Sequence, residues 1–237
     1  MNIAILLSGG TGTRLGADIP KQYICVADQM IITYSLKVLL EHPQIDGIVV
    51  VAEDEWREII LSDLQQDTQN TEKRITFAVP GITRQFSILN ALNYIKYEWN
   101  METDGINILI HDAARPNLSF DMISQCMDAL KEHEGVMPVL SMKDTIYESK
   151  DGTTVTKLLD RSRLFAGQAP EGFRFDSYYE ANQKLLPDRL HQINGATEPA
   201  ILAGMDIVMI PGDENNYKIT TQADLERFRE TMEKKSR

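Results

Sequence analysis

A run of glycines followed by two cations stands near the start of the chain, a combination that suits polyphosphate binding. The run consists of Leu7, Ser8, Gly9, Gly10, Gly12 and Thr13, together with Thr11, and it precedes Arg14 and Lys21. Glycine lets a ligand approach the backbone closely, and successive N–H groups form a concave anion site. Arg14 and Lys21 add the full positive charges that backbone dipoles lack. We expect this loop to carry the chemistry.

Two well-known phosphate loops do not match this run. The P-loop requires Lys-Ser or Lys-Thr after its last glycine, whereas Gly12 is followed by Thr13 and Arg14. The dinucleotide fingerprint requires a glycine where Leu15 stands. An NAD(P)-dependent oxidoreductase is therefore disfavoured, while a strand, a phosphate loop and cations remain.

A second group of reactive side chains, His111-Asp112-Ala113-Ala114-Arg115-Pro116, follows an apolar run. A carboxylate at the end of a parallel strand faces the ligand crevice, so Asp112 could hold a Mg²⁺ that bridges nucleotide phosphates. Arg115 could grip a second phosphate. Equally, Asp112 could cap the next turn with Arg115 as its ion-pair partner. His111 has no visible partner, and we interpret it as structural.

Two further segments carry cations or hydroxyls. In Pro80–Ser87, Gly81 permits close backbone approach and Thr83 is a plausible N-cap. Arg84 and Ser87 lie three apart on one helical face, where they could meet a nucleobase or a phosphate, although an ordinary capped turn is the alternative. Lys218 is a lone cation late in the chain, which matters only if its strand returns to the phosphate crevice.

The elements that must position these residues alternate between strand and helix. Strands are predicted at residues 2–8, 47–52, 74–79, 107–111 and 136–140, and helices at 31–41, 55–65, 83–97 and 120–132. Two of the strand runs, residues 48–52 and 108–110, are continuously apolar, as expected for parallel strands covered on both faces. We predict a doubly wound α/β fold with a mostly parallel sheet, whose ligands bind beyond the carboxyl ends of the strands.

From residue 141 the rhythm changes. Short strands at 144–148 and 153–157 flank an Asp-Gly turn, which predicts a β-hairpin arm at about 141–165. The hairpin could pack on a second subunit or be a solvated surface feature. A helix at 175–185, a strand at 206–210 and a helix at 222–235 complete one domain, residues 1–237.

Composition narrows the class of protein. The chain has 237 residues, 43% of them hydrophobic and 25% charged, which is ordinary for a globular domain. The net charge of −11 argues against a nucleic-acid partner. No apolar run approaches a membrane span and no signal peptide is evident, so we expect a cytoplasmic protein. The two isolated cysteines suit a reducing compartment.

Five motifs occur in the order found in the enzymes that make CDP-alcohols from CTP. They are Pro20-Lys21-Gln22-Tyr23, His111 to Pro116, Asp144-Thr145, Asp160-Arg161 and Asn216 to Leu225. The chain thus resembles these cytidylyltransferases, a family with a Rossmann-like nucleotidyltransferase sheet that includes the 2-C-methyl-D-erythritol 4-phosphate and ribitol-5-phosphate enzymes. The resemblance implies homodimers formed through the arm and transfer of CMP from CTP to a phosphorylated polyol.

The resemblance also implies roles for individual residues. Arg14, Lys21 and Lys218 would be catalytic and Asp112 would bind Mg²⁺. Nucleotide binding would fall to the glycine run with Gly81, Arg84, Ser87 and Ala113, and acceptor binding to Arg115, Thr145 and Arg161.

The chain departs from the family pattern on the acceptor side. Relatives usually read Gln-Thr-Pro-Gln where this chain has Gln168-Ala169-Pro170-Glu171, and Thr-Asp where it has Ala196-Thr197-Glu198. The expected acceptor is 2-C-methyl-D-erythritol 4-phosphate, with ribitol 5-phosphate or another cell-envelope alcohol phosphate as the alternative. A protein that binds CTP without turnover is the rival from another class.

Overall fold

The computed structural model describes residues 1–10, 19–65, 73–99 and 102–235, and it confirms the alternation of strands and helices. The strands are β1 Asn2–Leu7, β2 Cys25–Val26, β3 Gln29–Met30, β4 Gly47–Val51, β5 Arg74–Ala78, β6 Asn107–Asp112, β7 Gly135–Ser141, β8 Ile146–Glu148, β9 Lys157–Leu159, β10 Phe165–Gly167, β11 Glu171–Arg174 and β12 Ile207–Pro211. The helices are α1 Ile31–Glu41, α2 Asp54–Gln65, α3 Arg84–Glu98, α4 Phe120–Ala129, α5 Phe175–Gln183, α6 Glu198–Leu202 and α7 Gln222–Lys235. Predicted strands and helices agree with these bounds to within three residues, outside the hairpin.

The described strands build one eight-stranded sheet and two small ladders. The strand order in the sheet is β10-β7-β11-β6-β1-β4-β5, and the eighth strand, β12, branches from this order by pairing with β7. Four pairings are parallel: β1 with β4, β1 with β6, β4 with β5, and β7 with β12. Strands β10 and β11 run antiparallel to β7, and β11 also pairs antiparallel with β6. The carboxyl ends of β1, β4, β5 and β6 therefore meet at one edge, as predicted.

Both faces of the sheet are covered, which explains the continuous apolar runs. Along β1, Ile3 and Ile5 belong to one hydrophobic cluster, while Ala4 and Leu6 belong to another. All four side chains are fully buried. Because successive strand residues point to opposite faces, a strand covered on both sides has to be apolar throughout.

The hairpin prediction was wrong in part of its strand bounds. Strands β8 and β9 do pair antiparallel, with Ile146 opposite Leu159, but the second strand begins at Lys157 instead of 153. Asp151 explains the difference, because its carboxylate accepts hydrogen bonds from the N–H groups of Thr153 and Thr154 and holds them in the loop. Whether this hairpin is a subunit arm stays a prediction, as does the single-domain boundary.

Strands β10 and β11 and helix α6 were not predicted.

In the described part of the chain, the helices are all too short or too polar to cross a membrane.

Candidate active site

A cavity of about 550 Å³ opens at the carboxyl ends of β1, β4, β5 and β6. This volume lies in the range typical of small-molecule sites. Its wall contains Leu7, Ser8, Gly9, Gly10, Lys21, Gln22, Glu53, Pro80, Gly81, Ile82, Thr83, Arg84, Ser87, Asp112, Ala114, Lys218 and Thr220. The cavity thus brings together residues from four separate segments that the sequence had singled out.

The start of the glycine run is held by side chains of the Pro20-Lys21-Gln22-Tyr23 segment. The Gln22 Nε2 amide donates to the carbonyl oxygens of Ser8 at 2.5 Å and Gly10 at 2.8 Å. Tyr23 adds a phenol that donates to Ser8 O at 3.0 Å, and its ring stacks on Trp56. These hydrogen bonds to the carbonyl groups fix Ser8 and Gly10 in position. Sequence reasoning had assigned a role to Lys21 and none to the two residues that follow it in the same motif.

Two glycines are required by close contacts, Gly9 where the loop after β1 meets the loop after β5, and Gly81 where the loop after β5 meets α3. A Cβ on Gly9 would lie 2.6 Å from Pro80 Cβ, and one on Gly81 would collide with Phe86 and lie 2.7 Å from Ser87 N. The Gly81 N–H donates to Ser87 Oγ at 2.9 Å, which fastens the turn to α3. Only a residue without a side chain allows either of these approaches.

Thr83 caps α3 as predicted, because its Oγ1 accepts a hydrogen bond from Phe86 N at 3.3 Å. The cap places Arg84 at the first residue of the helix, on the cavity wall.

Lys21 and Lys218 enter the cavity from opposite ends of the sequence. Lys21 Nζ donates to the carbonyl of Ile219 at 2.6 Å, so the segment after β12 lies against the one after β1. Lys218 Nζ donates to Asp112 Oδ2 at 2.9 Å. The sequence predicted that Lys218 lies in a strand, which is wrong, because residues 217–220 are irregular. The segment does return to the phosphate crevice, since Lys218 lines the cavity.

Asp112 is the electrostatic centre of the site. Arg84 contacts its Oδ1 through Nε at 3.3 Å and Nη2 at 3.2 Å, while Lys218 holds Oδ2 and Arg115 Nε lies 3.6 Å from Oδ2. Burial raises the pKa of the Asp112 carboxyl, but the charges of Arg84 and Lys218 outweigh it and hold that pKa well below its usual range. Asp112 is therefore ionised at neutral pH.

Arg115 lies behind Asp112, outside the cavity wall. Its Nη1 donates to the carbonyl of Asn216 at 2.7 Å, and its own carbonyl lies 3.0 Å from His111 Nε2. Of the two sequence interpretations for Arg115, the structure shows the ion pair with Asp112. Burial lowers the pKa of His111 to about 4, so its ring is neutral and Nε2 donates to Arg115 O.

A second carboxylate, Glu171 at the start of β11, also faces Arg84. Its Oε1 lies 3.4 Å from Arg84 Nη2, and its Oε2 accepts a 2.7 Å hydrogen bond from Thr197 Oγ1. Burial raises the pKa of Glu171, opposed by the charge of Arg84 and the Thr197 hydroxyl. Glu171 was noticed in the sequence as a departure from the family pattern, but nothing there indicated its contact with Arg84.

Several predicted site residues lie elsewhere. Ala113 is fully buried, and its neighbour Ala114 lines the cavity in its place. Thr145 and Arg161 are exposed and lie outside the cavity wall, and Arg161 Nη1 donates to the carbonyl of Lys143 at 2.6 Å. Gly12, Thr13 and Arg14 fall outside the described residues.

The donor set suits a metal that arrives with its ligand. Among the described residues, no three His, Cys, Asp or Glu side chains group closely enough to hold a metal by themselves. Mg²⁺ is commonly held by one or two carboxylates together with substrate phosphates. Asp112 supplies one such carboxylate on the cavity wall, so it fits that role.

The arrangement as a whole suits a polyanionic ligand. Lys21, Arg84 and Lys218 reach the same cavity from three segments, in a chain whose net charge is −11. Such a local cationic site overcomes the repulsive field of the rest of the molecule.

Comparison with known proteins agrees with this chemistry. The family model described as "IspD: 2-C-methyl-D-erythritol 4-phosphate cytidylyltransferase" matches residues 2–234. A bifunctional IspD/IspF enzyme from Paramagnetospirillum magneticum is 32% identical over 96% of this chain and 56% of its own length. The chain therefore spans about half the length of the bifunctional relatives that it matches.

Two further similarities cover nearly all of both chains. A ribitol-5-phosphate cytidylyltransferase from Lactiplantibacillus plantarum is 28% identical and is covered over 100% of both chains. The crystal structure of 4-diphosphocytidyl-2C-methyl-D-erythritol synthase from Anaerococcus prevotii superposes with a TM-score of 0.81 at 21% identity, covering 98% of this chain and 96% of that one. This likeness shows that the two share a fold.

Proposed function

This chain belongs to the IspD family of 2-C-methyl-D-erythritol 4-phosphate cytidylyltransferases, and we propose that it transfers CMP from CTP to a phosphorylated polyol. The observation that carries the proposal is the convergence of Lys21, Arg84 and Lys218 on one cavity beside Asp112. The cavity has the size of a small-molecule site, and three cations on its wall can contact the phosphates of a nucleotide.

The proposed reaction exchanges one P–O bond for another. An oxygen of the acceptor's phosphate monoester attacks the α-phosphorus of CTP, the bond from that phosphorus to the β-phosphate oxygen breaks, and pyrophosphate leaves with the electron pair. The attacking oxygen is already ionised, so no general base is required. The obstacle is repulsion between two anions, and cations with fixed positions are the remedy.

Residues of this chain supply those cations. Lys21 and Lys218 are each tied by a hydrogen bond across the cavity, so their charges are in place before the ligand enters. We assign them, with Arg14, to the charge that builds up around the α-phosphorus. When bound, Mg²⁺ would neutralise charge on the phosphates, with Asp112 as its protein ligand.

For the acceptor we propose 2-C-methyl-D-erythritol 4-phosphate first and ribitol 5-phosphate second. The family description favours the first, whereas the full-length similarity to a ribitol-5-phosphate enzyme keeps the second. Ala169 and Thr197 stand at altered positions of the acceptor half, and both are buried near β11. We also propose a homodimer in which the 141–165 hairpin brings Thr145 and Arg161 to the acceptor site. The proposed location is the cytoplasm.

A pyrophosphate-release assay with CTP and Mg²⁺ tests the proposal. The acceptor panel is methylerythritol phosphate, ribitol phosphate, glycerol phosphate and phosphocholine. Release with methylerythritol phosphate alone supports the first acceptor, and release with another acceptor makes the altered positions its specificity determinants. CTP binding without release from any of the four supports the rival protein that only binds the nucleotide.

A further inference from the structure

The carboxylate of Glu171 contacts Arg84 and Thr197. Its side chain is 12% exposed and, among the described residues, does not contribute to the cavity wall, whereas Arg84 does. One carboxylate oxygen contacts Arg84 Nη2 and the other is held by the Thr197 hydroxyl. Glu171 therefore touches the site only through the guanidinium.

Arg84 lies between two carboxylates that come from different strands. Asp112 ends β6 and Glu171 begins β11, which runs antiparallel beside it. Arg84 directs Nε and Nη2 to Asp112 Oδ1, and the same Nη2 reaches Glu171. A guanidinium has a rigid fork of donors, so contacts on two sides fix its plane as well as its position.

The fixed position of Arg84 has a consequence for Asp112. Because Arg84 is confined to Oδ1, Oδ2 is left to Lys218 and Arg115. Without Glu171, the guanidinium could turn to pair with both oxygens of Asp112 in the bidentate geometry that Arg–carboxylate pairs favour. Lys218 would then lose its anchor, and Arg84 would leave its place on the cavity wall.

We infer that Glu171, held by Thr197, is a positioning residue that fixes Arg84 for nucleotide binding. This role rests on the proposed function, in which the cavity takes CTP. Glu171 lies outside the cavity wall, and in this role it acts through its contact with Arg84. Thr197 supports it from the N-terminal end of α6, an element that the sequence did not predict.

A double-mutant cycle tests the inference on CTP affinity, measured by calorimetry with Mg²⁺ and no acceptor. We expect Glu171→Ala to raise the Kd for CTP about tenfold, the lower end of the effect of removing a supporting partner. In an Arg84→Ala background the same substitution should change Kd less than about twofold, because its target is gone. Additive effects of the two substitutions would overturn the inference.

Glu171→Gln separates position from charge. The amide keeps oxygen and shape but removes the negative charge, so a positioning role predicts a Kd closer to wild type than that of Glu171→Ala. If Glu171 acted only through its field, both variants would bind the anionic nucleotide more tightly, and that result also overturns the inference. Thr197→Val, which removes the hydroxyl that holds Glu171, should also weaken CTP binding. Thr197→Ser keeps the hydroxyl and should bind CTP with the wild-type Kd.

The control is Glu134→Gln. Glu134 is half-buried beside the carboxyl end of β11, the end away from Glu171, and its carboxylate accepts from the Ser177 hydroxyl and the backbone N–H of Asp206. It should leave the Kd unchanged. Turnover separates the two proposals: wild-type protein that binds CTP but releases no pyrophosphate contradicts the proposed transfer while the cycle still reports on Glu171. Wild-type protein that does not bind CTP overturns both.

Discussion

Lys218 Nζ donates to Asp112 Oδ2 at 2.9 Å, joining two residues that lie 106 positions apart in the sequence. The pair forms where the end of β6 meets the segment that follows β12. This contact between side chains fixes a cation beside the cavity.

Replacing Lys218 by Met should lower kcat for pyrophosphate release by about 100-fold or more, the usual effect of removing one fixed charge from such a site. Steady-state kinetics with CTP and Mg²⁺ provides the measurement. The matched control is Lys131→Met, which removes an exposed lysine paired with Asp128 on the surface. Near-normal turnover of the Lys218 variant would remove Lys218 from the catalytic group.

Asp112→Asn should destabilise the fold, because Asp112 balances Arg84, Arg115 and Lys218 in a buried site. Loss of one partner of a buried charge cluster costs about 3–5 kcal/mol of unfolding free energy. Urea unfolding measures this loss. Added pyrophosphate should raise the melting temperature of the variant more than that of the wild type, since it replaces the missing negative charge. An unchanged unfolding free energy would contradict the central place given to Asp112.

His111 should make the fold sensitive to acid. Its pKa falls from 6.5 to about 4 on burial, so the unfolded chain takes up a proton first as the pH drops. The contribution is fully present above pH 6.5 and is lost progressively between pH 6.5 and about 4, by roughly 3 kcal/mol. The unfolding free energies of wild type and His111→Gln, compared at pH 7 and pH 4, isolate this slope from other groups. Parallel pH profiles would show that His111 titrates normally.

Gly9→Ala should damage the junction between the two loops, whereas Gly10→Ala should leave folding stability unchanged. The Cβ at position 9 would overlap Pro80, while at position 10 nothing within the described chain lies inside 4 Å. Both variants lose the same backbone freedom, so the comparison isolates the contact with Pro80. Melting temperatures decide the matter, and equal values for the two variants would show that the loops can move apart.

The sheet was predictable because its parallel strands are covered on both faces and read as continuous apolar runs. The antiparallel strand β11 was missed because its sequence, Glu171-Gly172-Phe173-Arg174, contains two charges and a glycine. Its pairing with β6 and β7 depends on neighbours that lie far away in the chain. Local patterns carry no record of such contacts.

The site was predictable where a motif follows a strand, as for Gly9, Gly81 and Asp112. Gln22 and Tyr23 act through carbonyl groups of the loop, and Glu171 acts through Arg84, which lies 87 positions away. Supporting residues of this kind are identified by their contacts, and those contacts exist only in the folded chain.

The most direct test of cytidylyl transfer is phosphorus NMR of the protein with CTP, Mg²⁺ and methylerythritol phosphate, repeated with ribitol phosphate. We predict that the CTP and monoester signals decline together while a diphosphate diester and pyrophosphate appear in equal amounts. Two results would contradict the proposed transfer for an acceptor: the monoester and CTP both stay unchanged, or the monoester stays intact while CTP is hydrolysed to CDP and phosphate. Such a result with both acceptors would contradict the central claim.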